Sequence, residues 1–370
     1  MVNAMQVDFA NLSLAYKEHK VKIDSAIEGV IESSSFIMGK EVAHLEEKLS
    51  KFTGAKHVIT CSNGTDALLL AMMALNIQPG DEIITTPFTF ISTAETIAFL
   101  GAVPVFVDID EKSFNIDASL IENKINSRTK AIMPVSLFGQ MADMSSINII
   151  ANKYKLHVIE DGAQSFGATM KGIKSCNSST IGTTSFFPAK PLGCFGDGGA
   201  VFTNDDNLAE KIFSLRIHGQ EKKYYHKYIG MGGRLDTLQA AVLSVKIDYY
   251  NNDILRRQKV AKTYSSILEP YNNISLPYVN NGFTSVWAQY SIRLKERSRV
   301  QDTLKEMGIP TAIYYPKPLH LQECFKYLKY TEGDFKNSEK ASREVLSLPM
   351  NPYLTEKELV YITNVLTETI

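Results

Sequence analysis

Lys190 stands in Ser185-Phe186-Phe187-Pro188-Ala189-Lys190-Pro191-Leu192-Gly193, beside aromatic residues and between two prolines. Most lysines are solvated charges on flexible stems. This one is expected in a loop, because Pro191 disfavours helix at the residue before it and Pro188 has no N–H to give. Apolar neighbours disfavour the ammonium form and lower the lysine pKa. A neutral amine can attack an aldehyde carbon and form a Schiff base. Asp161 lies 29 residues upstream, at the end of His157-Val158-Ile159-Glu160-Asp161, which reads as a short buried strand ending in acid. In open α/β sheets ligands collect at the carboxyl ends of strands. Taken singly, Asp161 could simply cap the turn that follows. Beside an amine of this kind it could instead hold a proton on a heterocyclic nitrogen. A third segment, Cys61-Ser62-Asn63-Gly64-Thr65-Asp66, precedes the apolar helical run Ala67–Leu75. Helix N-termini present free N–H groups and partial positive charge, and so suit phosphate, although such a sequence is also an ordinary N-cap. Amine, acid and phosphate cradle together match the needs of pyridoxal phosphate.

These elements must be carried by a scaffold. Strand-like runs (57–60, 82–85, 103–107, 131–135, 157–159, 199–203) alternate with amphipathic helical runs (65–75, 93–100, 118–125, 146–154). That alternation predicts a βαβ layout with a mostly parallel sheet. A long helix is expected from near Asp236 past Ile254. Beyond it the pattern becomes a strand over 286–294, a helix over 299–307, a strand over 311–315 and a helix over 357–367. We therefore expect a large cofactor domain over residues 1–250 and a smaller C-terminal α+β domain over 251–370, with the N-terminal segment a candidate to pack on the small one. The Gly193-x-x-Gly196-x-Gly198 run leads into a strand, where a dinucleotide fingerprint needs a helix.

Composition excludes several classes. The chain has 370 residues, 39 Lys+Arg against 40 Asp+Glu, and 44% hydrophobic residues. Near-neutral charge argues against a nucleic-acid partner. Lys222-Lys223-Tyr224-Tyr225-His226-Lys227-Tyr228 is a basic-aromatic cluster, read as a solvated loop. Four cysteines form no CxxC pair and no zinc-like spacing with histidine, so no metal is expected. Cys61 and Cys194 lack a base partner and read as small packing residues. No apolar run reaches spanning length and no secretory pattern opens the chain, so a cytoplasmic protein without membrane contact is expected.

The three segments resemble the DegT-type sugar aminotransferases, pyridoxal phosphate enzymes of the aspartate-aminotransferase fold (fold type I). The resemblance runs from Phe36-Ile37-Met38-Gly39 to Leu348-Pro349-Met350-Asn351-Pro352. The Lys190 segment, Lys174-Ser175-Cys176-Asn177 and Arg234-Leu235-Asp236-Thr237-Leu238-Gln239-Ala240-Ala241 are most similar to the branch acting on UDP-2-acetamido-2-deoxy-3-keto-glucuronic acid in bacterial surface-polysaccharide (O-antigen) pathways. The resemblance implies that Lys190 bonds the cofactor and moves protons, with L-glutamate as amino donor. It implies Asp161 at the ring nitrogen, Phe90 against the ring, and Gln164 near the ring hydroxyl. Gly64, Thr65 and Ser185 fall to the phosphate. It also implies a homodimer with shared active sites, into which the Gly230–Asp236 stretch reaches. Arg234 would meet either the sugar carboxylate or an acid across the dimer, while Tyr314 and Tyr315 face the sugar.

The chain departs from the pattern twice. Gly232 stands where relatives usually carry Asn, and Tyr314-Tyr315-Pro316 replaces the usual His-Tyr-Pro. Two alternatives remain beside the uronate reading: a dTDP-3-keto-6-deoxyhexose 3-aminotransferase, and a non-transaminating cofactor-binding homologue.

Overall fold

The computed structural model describes residues 5–370. Seven strands form one sheet: β1 (His57–Cys61), β2 (Glu82–Thr85), β3 (Val103–Phe106), β4 (Thr129–Ile132), β5 (His157–Asp161), β6 (Ile181–Ser185) and β7 (Gly199–Thr203). Their order is β1-β7-β6-β5-β4-β2-β3. Neighbours are parallel from β6 to β3, whereas β7 runs antiparallel to both β6 and β1. All strands but β7 therefore point the same way. Residues of β2 and most of β5 are buried without alternation, as expected for strands covered on both faces.

Helices cover the two faces. A core of strand residues with Leu70 of α3 (Gly64–Ala74), Ile97 of α4 (Ser92–Phe99) and Ile212 of α6 (Asp206–Arg216) fills one side. On the other, Leu45 and Leu49 of α2 (Lys40–Thr53) pack with Phe202 and with Leu243 of α7 (Thr237–Lys246), and α5 (Met144–Tyr154) adds Ile147 to a neighbouring core. A long N-terminal helix, α1 (Leu12–Ser33), lies against α7.

A second layer follows. Strands β8 (Tyr290–Arg293) and β9 (Val345–Leu348) pair antiparallel beneath α9 (Arg297–Glu306) and α10 (Glu356–Thr369). Val7 belongs to this second core, and its N–H donates to Gly308 C=O at 3.2 Å.

Two expectations need correction. The helix from Asp236 does not run through Ile254. It ends at Lys246, and a new helix, α8 (Tyr250–Leu268), begins after tight turns in which the N–H groups of Asp248, Tyr249 and Tyr250 bond three residues back. No Gly or Pro marks this bend, so periodicity alone runs across it. The segment 311–315 is not a strand. Only Ala312 pairs, with Ser347, and the chain then turns so that Tyr315 reaches the large sheet. α8 itself joins the layers: Tyr250 is buried in the sheet core and Tyr264 and Leu268 in the second core.

Candidate active site

The strand topology brings three loops to one place. β1 ends at Cys61, β6 ends at Ser185, and β7 begins at Gly199, which faces both in register. The Asn63–Thr65 turn thus meets Ser185. A Cβ on Gly64 would lie 2.7 Å from Ser185 Cβ, and one on Gly199 would lie 2.3 Å from the Asn63 carbonyl oxygen. Glycine at both positions permits this closeness. Asn63 caps α3, its side-chain oxygen accepting from Asp66 N–H at 2.8 Å. Ser62 Oγ donates to the Asp66 carboxylate, while Thr65 Oγ1 lies 2.8 Å from Ser92 Oγ. Cap and turn take up the N–H groups of Asp66 and Ala67. Those of Gly64 and Thr65 are left for a ligand, as a phosphate cradle requires.

Lys190 sits in the loop 186–198, closed by Phe186 N–H to Gly198 C=O at 2.7 Å and Cys194 N–H to Phe186 C=O at 2.8 Å. Phe186, Leu192 and Cys194 anchor the loop in the core. Lys190 N–H donates to Phe187 C=O at 2.8 Å. A Cβ on Gly193 would come 2.4 Å from the Pro188 carbonyl oxygen, so the loop folds back against itself. Burial lowers the Lys190 ammonium below its ordinary range, and the charge of Asp161 opposes that effect. Asp161 is 6% exposed. It accepts from Thr93 Oγ1 at 2.9 Å and from Ala163 N–H at 3.2 Å. Burial raises its carboxyl, and the Thr93 hydroxyl, the Ala163 N–H and the Lys190 charge pull it back. Each of the two groups thus feels the other's charge at the strand ends.

Gln164 is fully engaged. Its Oε1 accepts from Phe138 N–H at 2.9 Å, and its Nε2 donates to Tyr315 Oη at 3.1 Å. Burial, followed by the Asp161 charge, raises the Tyr315 hydroxyl. Tyr315 therefore comes with Gln164 and Asp161 although it is 151 residues beyond Gln164. Phe90 is 56% exposed, its ring centroid 6.3 Å from that of Tyr315. Tyr314 stands beside Tyr315, with ring centroids 5.8 Å apart. Arg234 is half-buried and bonds no acid among the described residues.

Several participants escaped the sequence reading. Thr93 carries no motif; Thr89, in the turn before α4, has its Oγ1 3.0 Å from that of Thr93. Gln239 and Lys246, seven apart and so on one face of α7, hold the Lys190 loop from behind. Gln239 Oε1 accepts from Phe195 N–H at 2.8 Å, and Lys246 Nζ donates to Gly193 C=O. Burial pushes the Lys246 ammonium down to about 8. Glu160, which points away from Asp161 on the strand, accepts from Ser136 Oγ, Ser175 Oγ and Cys176 N–H at 2.9, 2.8 and 2.7 Å. This fixes the Ser175-Cys176 segment behind the site. Cys61 and Cys194 are buried; burial raises both thiols, Cys194 to about 11, as suits packing residues.

The site accommodates pyridoxal phosphate. It offers a half-buried amine, a buried acid held by two donors, and free N–H groups at a glycine-lined turn. The profile of the DegT/DnrJ/EryC1/StrS aminotransferase family matches residues 17–367, and the chain belongs to this family of pyridoxal phosphate-dependent sugar aminotransferases. It is 49% identical to a UDP-2-acetamido-2-deoxy-3-oxo-D-glucuronate aminotransferase of Pseudomonas aeruginosa, covering 98% of this chain and 99% of the relative. It is 46% identical to a pleiotropic regulatory protein of Geobacillus stearothermophilus, over 98% of both. A crystal structure of a family aminotransferase from Brucella abortus superposes with a TM-score of 0.95 at 40% identity, over 98% of this chain and 99% of that one.

Proposed function

We propose that the protein transfers an amino group from L-glutamate to C3 of a UDP-linked 2-acetamido-2-deoxy-3-keto-hexuronic acid, making a 3-amino sugar for bacterial surface polysaccharide. The observation that carries the transfer chemistry is a buried Asp161 at the end of β5, held by Thr93 and Ala163, together with Lys190 in the folded-back loop that follows β6. Pyridoxal phosphate, when bound, supplies an electrophilic carbon and a ring that takes up the electron pair left at a deprotonated carbon. Asp161 holds a proton on the ring nitrogen, and Thr93 and Ala163 keep its carboxylate aimed. Gly64 and Thr65 N–H groups and Ser185 would hold the phosphate, and Phe90 and Gln164 would contact the ring. Lys190 Nζ holds the cofactor between turnovers and yields to the donor amine. Freed, its Nζ would serve as the base that takes the proton from the donor Cα and as the acid that gives it up again. Water would then release 2-oxoglutarate, supplying its keto oxygen, while the amino nitrogen stays behind for the second half. In the second half Lys190 moves protons in the opposite sense, C3 receives the nitrogen, and the keto oxygen departs as water.

The uronate is favoured by the likeness to the Pseudomonas relative and by Arg234, whose guanidinium has no acid partner among the described residues. Its planar fork suits a carboxylate. Tyr314 and Tyr315 supply hydroxyls toward the sugar. We further propose a cytoplasmic homodimer with shared sites. Exposed Phe36, Ile37 and Met38, together with exposed Tyr224, Tyr225 and Ile229 near the 220–226 hairpin, offer apolar surface for it. The likeness to a regulatory protein raises a second reading, a cofactor-bound regulator without turnover; the intact Lys190–Asp161 pair disfavours it.

The test uses the cofactor-loaded protein. Glutamate should convert its absorbance band to the amine form of the cofactor. After glutamate is removed, UDP-3-keto-2-acetamido-hexuronate should restore the first band, and dTDP-3-keto-6-deoxyhexose should not. Restoration by the deoxyhexose alone rejects the uronate, and no conversion by glutamate favours the regulator.

A further inference from the structure

Outside the groups already assigned, one buried histidine is paired with an acid. His320 is 1% exposed and Glu339 5%, and His320 Nε2 lies 3.1 Å from Glu339 Oε1. The same oxygen accepts from Gly333 N–H at 2.7 Å and from Phe335 N–H at 3.4 Å. An ionised carboxylate only accepts, so the imidazole donates from Nε2 and its Nδ1 carries a lone pair. That Nδ1 is buried and has no partner among the described residues. The Phe335 ring stands edge-on to the imidazole, with centroids 4.7 Å apart. Burial lowers the imidazole's proton affinity, and the Glu339 bond opposes that. A bare polar atom in an apolar cage costs stability, where an aliphatic side chain would cost none. The histidine is therefore accounted for by what its one donor holds.

It holds a clasp with two arms, each fastened to the large sheet. On the first arm Leu319 N–H donates to Pro87 C=O at 2.7 Å, three residues before Phe90. Leu319 also packs with Ala94 of α4 and Phe106 of β3. The second arm is the helix Lys336–Glu344, which carries Glu339. Its Asn337 and Ser338 N–H groups donate to the Asp108 carboxylate just past β3, both at 2.9 Å, and its Ala341 packs in one cluster with Phe88 and Tyr315. The His320–Glu339 bond joins the arms. Between Tyr315 and Leu319 the chain reads Pro316-Lys317-Pro318. Each proline fixes its own φ near about −65°, so this stretch is a stiff strut, and a shift at His320 is carried to Tyr315 instead of being absorbed. Tyr315 Oη in turn accepts from Gln164 Nε2, and its ring stands beside that of Phe90.

We propose that His320 is a positioning residue for the aminotransfer: its bond to Glu339 sets the strut from Tyr315 to Leu319, and so places the Tyr315 hydroxyl against Gln164. His320 touches neither cofactor nor substrate, and its effect passes through Tyr315. The inference rests on the proposed transfer of an amino group and is independent of which keto sugar accepts it. His320→Leu removes the donor and keeps the apolar packing. His320→Gln keeps an N–H donor. Tyr315→Phe removes the hydroxyl that the clasp is said to place.

A double-mutant cycle tests this with two readouts. The first is the affinity of apo-protein for pyridoxal phosphate. The second is the rate at which saturating glutamate converts the band of the loaded protein, with no sugar present. His320→Leu should lose about 10-fold or more in rate, within the ~10²-fold that a misplacement of about 1 Å costs, and about 2- to 10-fold in affinity, as for one hydrogen bond. Its melting temperature should not fall. His320→Gln should recover most of both losses. On the Tyr315→Phe background, His320→Leu should have little further effect on either readout. Losses that multiply in the double variant overturn the proposal, as do a His320→Leu protein equal to wild type or a His320→Gln protein no better than His320→Leu. Should His320→Leu not fold, Glu339→Gln takes its place: it keeps an acceptor for Gly333 and weakens the bond to His320, and its smaller loss must likewise vanish on Tyr315→Phe. Wild-type protein that binds pyridoxal phosphate but is not converted by glutamate rejects the aminotransfer reading by itself, and the affinity cycle then decides the clasp alone.

Discussion

The strand ends and the rim above them are built on different terms. At the strand ends almost every polar group has a partner in the chain: Asp161 has Thr93 and Ala163, Gln164 has Phe138 and Tyr315, and Glu160 has three donors. At the rim, Arg234 has no acid partner among the described residues, and Phe90 is exposed. The first region is finished before any ligand arrives, as preorganised catalytic groups should be. The second is completed by whatever binds there. Changes at the strand ends should therefore alter the chemical step, and changes at the rim should alter binding.

The largest effect is expected at the strand ends. Lys190→Ala removes the proton carrier, so kcat should fall by at least about 10³-fold, within the usual contribution of a positioned acid–base group together with lost covalent chemistry. Single-turnover kinetics with glutamate would check it; a fall of less than tenfold would remove Lys190 from the mechanism. A moderate effect is expected at the rim. Arg234→Ala should raise KM for the uronate by a factor corresponding to about 1.5–3 kcal/mol and leave kcat nearly unchanged. A drop in kcat at constant KM would erase the distinction between the two regions.

A third effect, on stability and not on turnover, lies behind the loop. Lys246 has its ammonium lowered to about 8 in the folded chain from the ordinary 10.5. Between these values the unfolded chain holds a proton at this residue that the folded chain has released. Stability should therefore rise with pH across that window, and the rise should be missing in Lys246→Met. Urea midpoints at pH 7.5, 9 and 10.5 measure it, and parallel curves for the two proteins would contradict it.

The legible part of the site was local in sequence. Lys190 between its prolines, Asp161 at a strand end and Asn63-Gly64-Thr65 before a helix each carry their meaning within a few residues. What escaped was long-range pairing. Thr93 reaches Asp161 from 68 residues upstream, and Tyr315 reaches Gln164 from 151 residues downstream; no spacing rule links such pairs. The fold follows the same division. The alternating strands and helices of the large sheet were evident because burial imposes a period on them. Thr311-Ala312-Ile313-Tyr314-Tyr315 has strand-like composition, yet its course is set by where Tyr315 must go. The bend after Lys246 is made by tight turns that residue type does not announce.

The reversed strand β7 constrains how this protein can change. Ser185 and Gly199 face each other in register, so the loop bearing Lys190 is a closed circuit of fixed length. One residue added to it would either slip β7, turning Ala200 and Phe202 to the wrong face, or pull Gly199 away from the Asn63 carbonyl. The 220–226 hairpin carries no such obligation, since its residues are largely exposed and pair with each other. Insertions and deletions that diversify such a protein are therefore confined to its outer edges, and the stretch from 185 to 199 must keep its count.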